Sequence, residues 1–144
     1  MSIDEAMAKF FGRCFMRQFM PNKPCKYGFK LWCLCCPTTG YFYHIEVYTG
    51  KRPGEEAVKG LGAQVVLGLT KQSKLAKGSV VVFDRFFGGI EVLLMLQKIG
   101  YFGICTIMQN RKGFPKTLVS QKDLKLPIGA PSNRLLVRRT TSLP

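Results

Sequence analysis

Residues 79–89 read SVVVFDRFFGG. Val80, Val81, Val82 and Phe83 form an unbroken apolar run of strand length, a pattern that suits a strand covered on both faces. The run ends on one carboxylate, Asp84, and Gly88 and Gly89 break it. The next segment, IEVLLMLQKIG (90–100), puts Ile90, Leu93, Leu94 and Gln97 on one helical face and stops at Gly100. YFGICTIM (101–108) then reads as a second strand. A strand, a helix and a strand in that order imply parallel pairing of the two strands. This unit makes the chain α/β.

Upstream, LGAQVVLGLTKQ (61–72) carries Leu61, Val65 and Leu69 at helical spacing and predicts a helix in spite of Gly62 and Gly68. YGFKLWCLCC (27–36) and YFYHIEVYTG (41–50) are rich in aromatic and β-branched residues, and PTTG between them is turn chemistry. They predict an antiparallel hairpin over about 27–49. The opening MSID reads as a strand stub ending at Asp4, and MPNKP (20–24) as a loop. KRPGEEAVKG (51–60), SKLAKG (73–78) and QNRKGFPK (109–116) read as connectors. The sum is one domain, a mixed sheet with helices on its faces. Trp32 belongs in the core on this reading, YFYHIEVY in core and cross-strand packing, and His44 in a structural or surface place.

Lys and Arg number 22 against 8 Asp and Glu, a net charge of +14, which favours a polyanionic partner such as nucleic acid. Residues 6–45 hold no acid, while Lys9, Arg13, Arg17, Lys23, Lys26 and Lys30 are interleaved with Phe10, Phe11, Phe15, Phe19 and Tyr27. That stretch suits contacts to a phosphate backbone, or else a solvated basic face whose phenylalanines point to the core. No apolar run approaches the ~20 residues of a membrane span, and residues 1–20 lack the apolar core of a secretory signal, so an intracellular setting is expected. The six cysteines include CLCC (33–36), which is not a zinc-ribbon spacing, and His44 is the only histidine. Reduced, partly buried thiols are the expectation.

Sites in α/β sheets gather at strand ends. Asp4 and Asp84 each close a predicted strand, and if those strands are neighbours the pair comes within reach of a shared divalent ion. Magnesium takes a few carboxylate oxygens together with waters and substrate phosphates. Two such ions support phosphodiester chemistry. The plainer alternatives are a surface turn, a helix cap, or an ion pair of Asp84 with Arg85.

Five ordered segments add a resemblance. IDEAMAKFFGR (3–13), MPNKPCKYGFKLW (20–32), EVYTGK (46–51), VVVFDRFF (80–87) and NRKGFPK (110–116) together resemble piggyBac-type transposases and the host proteins derived from them. The resemblance covers about residues 1–130. It implies a ribonuclease H-like catalytic core of the DDE type, here incomplete, that binds Mg2+ or Mn2+ through three aspartates and cleaves and joins DNA at TTAA sites. Asp4 then matches the first catalytic and metal-binding aspartate and Asp84 the second. It also implies a nuclear setting, a homodimer and DNA contacts by Arg13, Arg17, Lys23, Lys26, Lys30, Arg111, Lys112 and Lys116. The family has Asn after the second aspartate, where this chain has Arg85. The family's third aspartate lies further downstream than Asp123. The expectation is a partial catalytic domain that is inactive on its own, or else a non-enzymatic DNA-binding derivative or a remnant with no selected role. PSNRLLVRRTTSLP (131–144) departs from the family's character and reads as a divergent basic tail.

Overall fold

The computed structural model describes residues 1–50 and 60–115. The chain order is β1 (Ser2–Lys9), β2 (Arg17–Phe19), β3 (Tyr27–Cys35), β4 (Phe42–Val47), α1 (Leu61–Gln72), β5 (Val80–Phe83), α2 (Ile90–Lys98) and β6 (Phe102–Cys105). Six strands form one mixed sheet in the order β2-β3-β1-β5-β6, with β4 also on β3. β1 runs antiparallel to β3 over its whole length and parallel to β5, and β5 is parallel to β6. The α/β class, the hairpin and the strand–helix–strand unit are as the sequence indicates. The connector expected at 51–60, but for Gly60, and the divergent tail expected at 131–144 lie outside the described residues.

Three differences from the sequence reading have physical causes. β1 does not stop at Asp4 but continues to Lys9, because Ala6, Met7 and Ala8 find a full ladder of partners on β3. β2 was not legible, since three residues carry no periodicity. It forms because the edge of β3 at Tyr27–Phe29 leaves backbone groups to be paired. α2 is turned from the predicted face: Val92, Leu93 and Leu96 are buried, while Leu94 and Met95 are exposed. A run such as VLLML leaves the phase of a helix open. Gly103 on β6 sets it, because a side chain there would collide with Leu93 and Leu96.

One face of the sheet is dry. Ile3, Trp32, Leu34, Val81 and Phe83 point to it and pack with Val65, Val66 and Leu69 of α1 and Val92, Leu93 and Leu96 of α2. The other face is open among the described residues. Val80, Val82, Phe102 and Ile104 stand exposed there, so β5 is covered on one face rather than two. Both described helices pack on the same side, which leaves alternate residues of β5 and β6 without a cover. The aromatic run 41–47 also differs from its reading. It supplies an edge strand whose Tyr41, Phe42, Tyr43 and Ile45 are exposed, and only Tyr48, after β4, reaches Trp32. Trp32 is buried as expected. No described helix is long and apolar enough to cross a membrane.

A candidate carboxylate site on the open face

The parallel ladder between β1 and β5 pairs Ser2 with Val82 and Ile3 with Phe83. Continuing that register by one residue sets Asp4 level with Asp84. Alternation along each strand then points both away from the dry face that Ile3 and Phe83 share. Adjacent strands run about 4.8 Å apart, so the two carboxylates rise from neighbouring backbone positions on one face. Both residues are exposed. Asp4 lies inside β1, yet it stands where the pairing with β5 ends, and that is what gives it a free side beside Asp84.

Each carboxylate is partly fixed by backbone. The Phe86 N–H donates to Asp84 Oδ1 at 2.9 Å, and the Glu5 N–H donates to Asp4 Oδ1 at 2.7 Å. Asp84 therefore closes the turn after β5. It does not cap α2, whose N-cap is Gly89. The 84–89 turn is held from behind. Arg111 Nη2 donates to the carbonyls of Arg85 and Phe86, both at 3.3 Å. Gly88 passes so close to the Thr106 carbonyl that no Cβ fits, and a side chain at Gly62 of α1 would press on the backbone of Phe86 and Phe87.

Beneath Asp4, on the dry face, Glu5 gathers two cations. Lys30 Nζ lies 2.8 Å from Glu5 Oε2 and Lys23 Nζ lies 3.0 Å from Oε1. Lys30 is buried, with its ammonium 4.2 Å from the Trp32 ring centroid and 5.4 Å from that of Phe86. Burial alone pushes the Glu5 carboxyl up, but hydrogen bonds and charge from Lys30 and Lys23 together outweigh it and hold the group below its ordinary value. On the open face Asp4 is level with Cys33, whose thiol is pushed up by burial first, then by Cys35 and Asp4. All six cysteines are free. Cys36 has left β3, and hydrogen bonds from Thr39 first, then Thr38, lower its thiol to about 7.

The expected DNA-contacting residues fall into two groups. Arg13, Arg17, Lys26 and Lys112 are exposed. Lys23 and Lys30 are engaged by Glu5, and Arg111 is half-buried under the 84–89 turn. Lys116 lies outside the described residues.

A family model described as transposase IS4 matches residues 1–141. The chain belongs to the piggyBac-type transposase family. It is 32% identical over 112 residues to the human piggyBac transposable element-derived protein 3, a match covering 76% of this chain and 19% of that protein. The same identity holds against the human chimeric ERCC6-PGBD3 protein, of which 10% is covered. The cryo-EM structure of a piggyBac transposase synaptic complex with hairpin DNA superposes with a TM-score of 0.68 at 28% identity, covering 90% of this chain and 26% of that one. The chain thus spans about a fifth or less of the curated relatives it matches. The six-stranded mixed sheet is a piggyBac-type fold, and as a domain it is incomplete.

The donor set suits a hard divalent cation in part. Asp4 and Asp84 each keep one carboxylate oxygen clear of the backbone contacts given above, which matches the few carboxylates that magnesium takes. Among the described residues no third His, Cys, Asp or Glu joins them in a cluster. Arg85 adds a positive charge next to Asp84 that opposes a cation there.

Proposed function

We propose that this chain is part of the catalytic domain of a piggyBac-like DNA transposase, with Asp4 and Asp84 as two of its three metal-binding carboxylates. The observation that supports the reading is the β1–β5 register, which, continued by one residue beyond Ile3 and Phe83, sets two acids of a basic chain level with each other. In this reading Mg2+ or Mn2+, when bound, supplies charge stabilisation for phosphodiester cleavage and strand transfer at TTAA sites. The chain's own contribution is positional. The Phe86 N–H fixes the Asp84 carboxylate, Arg111 fixes the turn that carries it, and the exposed cations hold the DNA backbone. Two carboxylates of three leave the site incomplete, so the 144 residues alone bind metal and DNA without cutting. A nuclear setting and a homodimer belong to the same reading.

The test has two parts. Mn2+ broadening of the amide resonances of residues 3–5 and 83–86 is expected in the wild type and lost in Asp84→Asn, at unchanged circular dichroism. Nicking of a TTAA-bearing duplex in Mn2+ is expected at background in both. Equal broadening in wild type and Asp84→Asn would remove the metal assignment. A second reading, a DNA-binding derivative without chemistry, is favoured by Arg85. It predicts that Mn2+ broadening is absent in the wild type and appears in Arg85→Asn, which removes the neighbouring charge.

A further inference from the structure

The phenylalanines of the first loop do not face the core. Phe11 is 69% exposed, Phe15 81%, Phe19 56% and Tyr27 44%. Four exposed rings within seventeen residues are costly in water and call for a partner with flat apolar faces. The backbone that carries them is ordered by its own bonds. The Arg17 guanidinium donates to the carbonyls of Phe11 and Gly12 at 3.1 and 3.2 Å, and the Phe10 N–H donates to the Tyr27 carbonyl at 3.3 Å. The β2–β3 register sets Phe19 level with Tyr27, and their rings lie 4.8 Å apart.

Charge narrows the choice of partner. Lys9, Arg13, Arg17 and Lys26 are exposed among these rings, in a stretch of forty residues (6–45) without one acid. Lys9 sits 5.0 Å from the Phe11 centroid and Arg17 5.6 Å from that of Tyr27. A partner that offers both phosphates and flat rings is a nucleic acid. In a duplex the base faces are taken up by their neighbours, so only unpaired bases can lie on these phenylalanines. The strand registers also fix where two of these rings, Phe19 and Tyr27, stand. Arg17, Phe19 and Tyr27 share the open sheet face with Asp4, and Ala8 is level with Phe29 on that face. From Ala8 to Asp4 is about 13 Å along β1, and the only side chain between them on that face is Ala6, which leaves a shallow path.

We propose that Phe11, Phe15 and Phe19, with Tyr27 behind them, form a stacking platform for the unpaired bases of a single strand that then runs along β1 towards Asp4 and Asp84. The proposal rests on the DNA-binding part of the reading above and adds the state of the strand. It is independent of the metal.

The experiment is fluorescence anisotropy of the full 144-residue chain with three labelled probes: a twelve-nucleotide thymidine strand, the matching duplex, and a twelve-unit strand of abasic sites. The variants are Phe15→Ala/Phe19→Ala and, as a phosphate control, Arg13→Ala. Both sites are exposed, and circular dichroism checks the fold. The thymidine strand is expected to bind more tightly than the other two. The double phenylalanine variant should lose about fivefold or more on that strand and nothing on the abasic one, while Arg13→Ala should weaken all three. Loss of the same size on all three probes, or no loss with the phenylalanine variant, overturns the platform and leaves the DNA reading standing. Absence of binding to every probe overturns both. Photocrosslinking of a 5-iodouracil strand supplies a second measure: adducts on residues 11–27 support the platform, and adducts confined to other segments overturn it.

Discussion

Glu5 is the residue on which the dry side of the site turns. It is one of eight acids, and it holds Lys30, a buried ammonium, at 2.8 Å. Removing it strands that ammonium among Trp32, Tyr48 and Phe86. Loss of one partner of a fully buried pair costs about 3–5 kcal/mol, and the partial exposure of Glu5 reduces this to about 1–3 kcal/mol for Glu5→Gln. The pH dependence has a definite sign. The carboxyl titrates lower in the folded chain than in the unfolded one. Its stabilisation is therefore complete above the unfolded value, near 4.5, and fades as pH falls through the depressed folded value. Urea melts at pH 7 and pH 3 should show the gap between wild type and Glu5→Gln shrinking at the lower pH. A gap that stays constant would mean that Glu5 acts by packing alone. The pairing was invisible in the sequence, because Glu5 and Lys30 lie twenty-five positions apart and meet only through the β1–β3 register. For the same reason Lys23 and Lys30 read as free cations.

At the scale of elements, α2 separates what a pattern can give from what packing must decide. The sequence placed a helix at 90–100, and α2 spans Ile90–Lys98. Its inward face was misread, because apolar residues surround most of the helix and Gly103 on the neighbouring strand chooses the phase. Leu96 is fully buried and Leu94 is exposed. Leu96→Ala is expected to cost about 2–5 kcal/mol and Leu94→Ala about 0.5 kcal/mol or less, read from urea unfolding of each variant. A larger cost for Leu94→Ala than for Leu96→Ala would return the helix to the face that the sequence suggested. α1 shows the opposite case. Its Val65 and Leu69 are buried as the spacing requires, since polar Gln64, Lys71 and Gln72 mark the outer side. The strands follow the same division. β3, β4, β5 and β6 were legible as apolar runs bounded by turns, whereas β2 and the second half of β1 exist because β3 offers them a ladder. Asp4 and Asp84 were legible as candidates from their place at strand ends. Their neighbourhood was not, because it depends on β1 inserting between β3 and β5, an order that no local pattern encodes.

For the whole molecule the governing quantity is charge, and a net +14 does not translate into fourteen contacts. Only cations that are exposed and unengaged can exchange their counterions for phosphates. Lys9, Arg13, Arg17 and Lys26 meet the first condition, while Lys23 and Lys30 are both engaged by the single carboxylate of Glu5 on the dry side of the sheet. Arg17 spends part of its guanidinium on two carbonyls but keeps its charge. Four phosphate contacts on a single strand give a slope of log K against log salt of roughly −3, at about −0.7 per contact. Arg13→Ala should make that slope less negative by about 0.7. Lys23→Ala should leave it unchanged, although both variants lower the net charge by the same amount. Anisotropy titrations of the thymidine strand from low to moderate salt read both slopes. If the two variants shift the slope equally, binding follows the overall charge and the exposed cations are no privileged contact set. If only Arg13→Ala shifts it, the exposed and unengaged cations set the contacts, and the basic stretch of the first loop is what holds the strand.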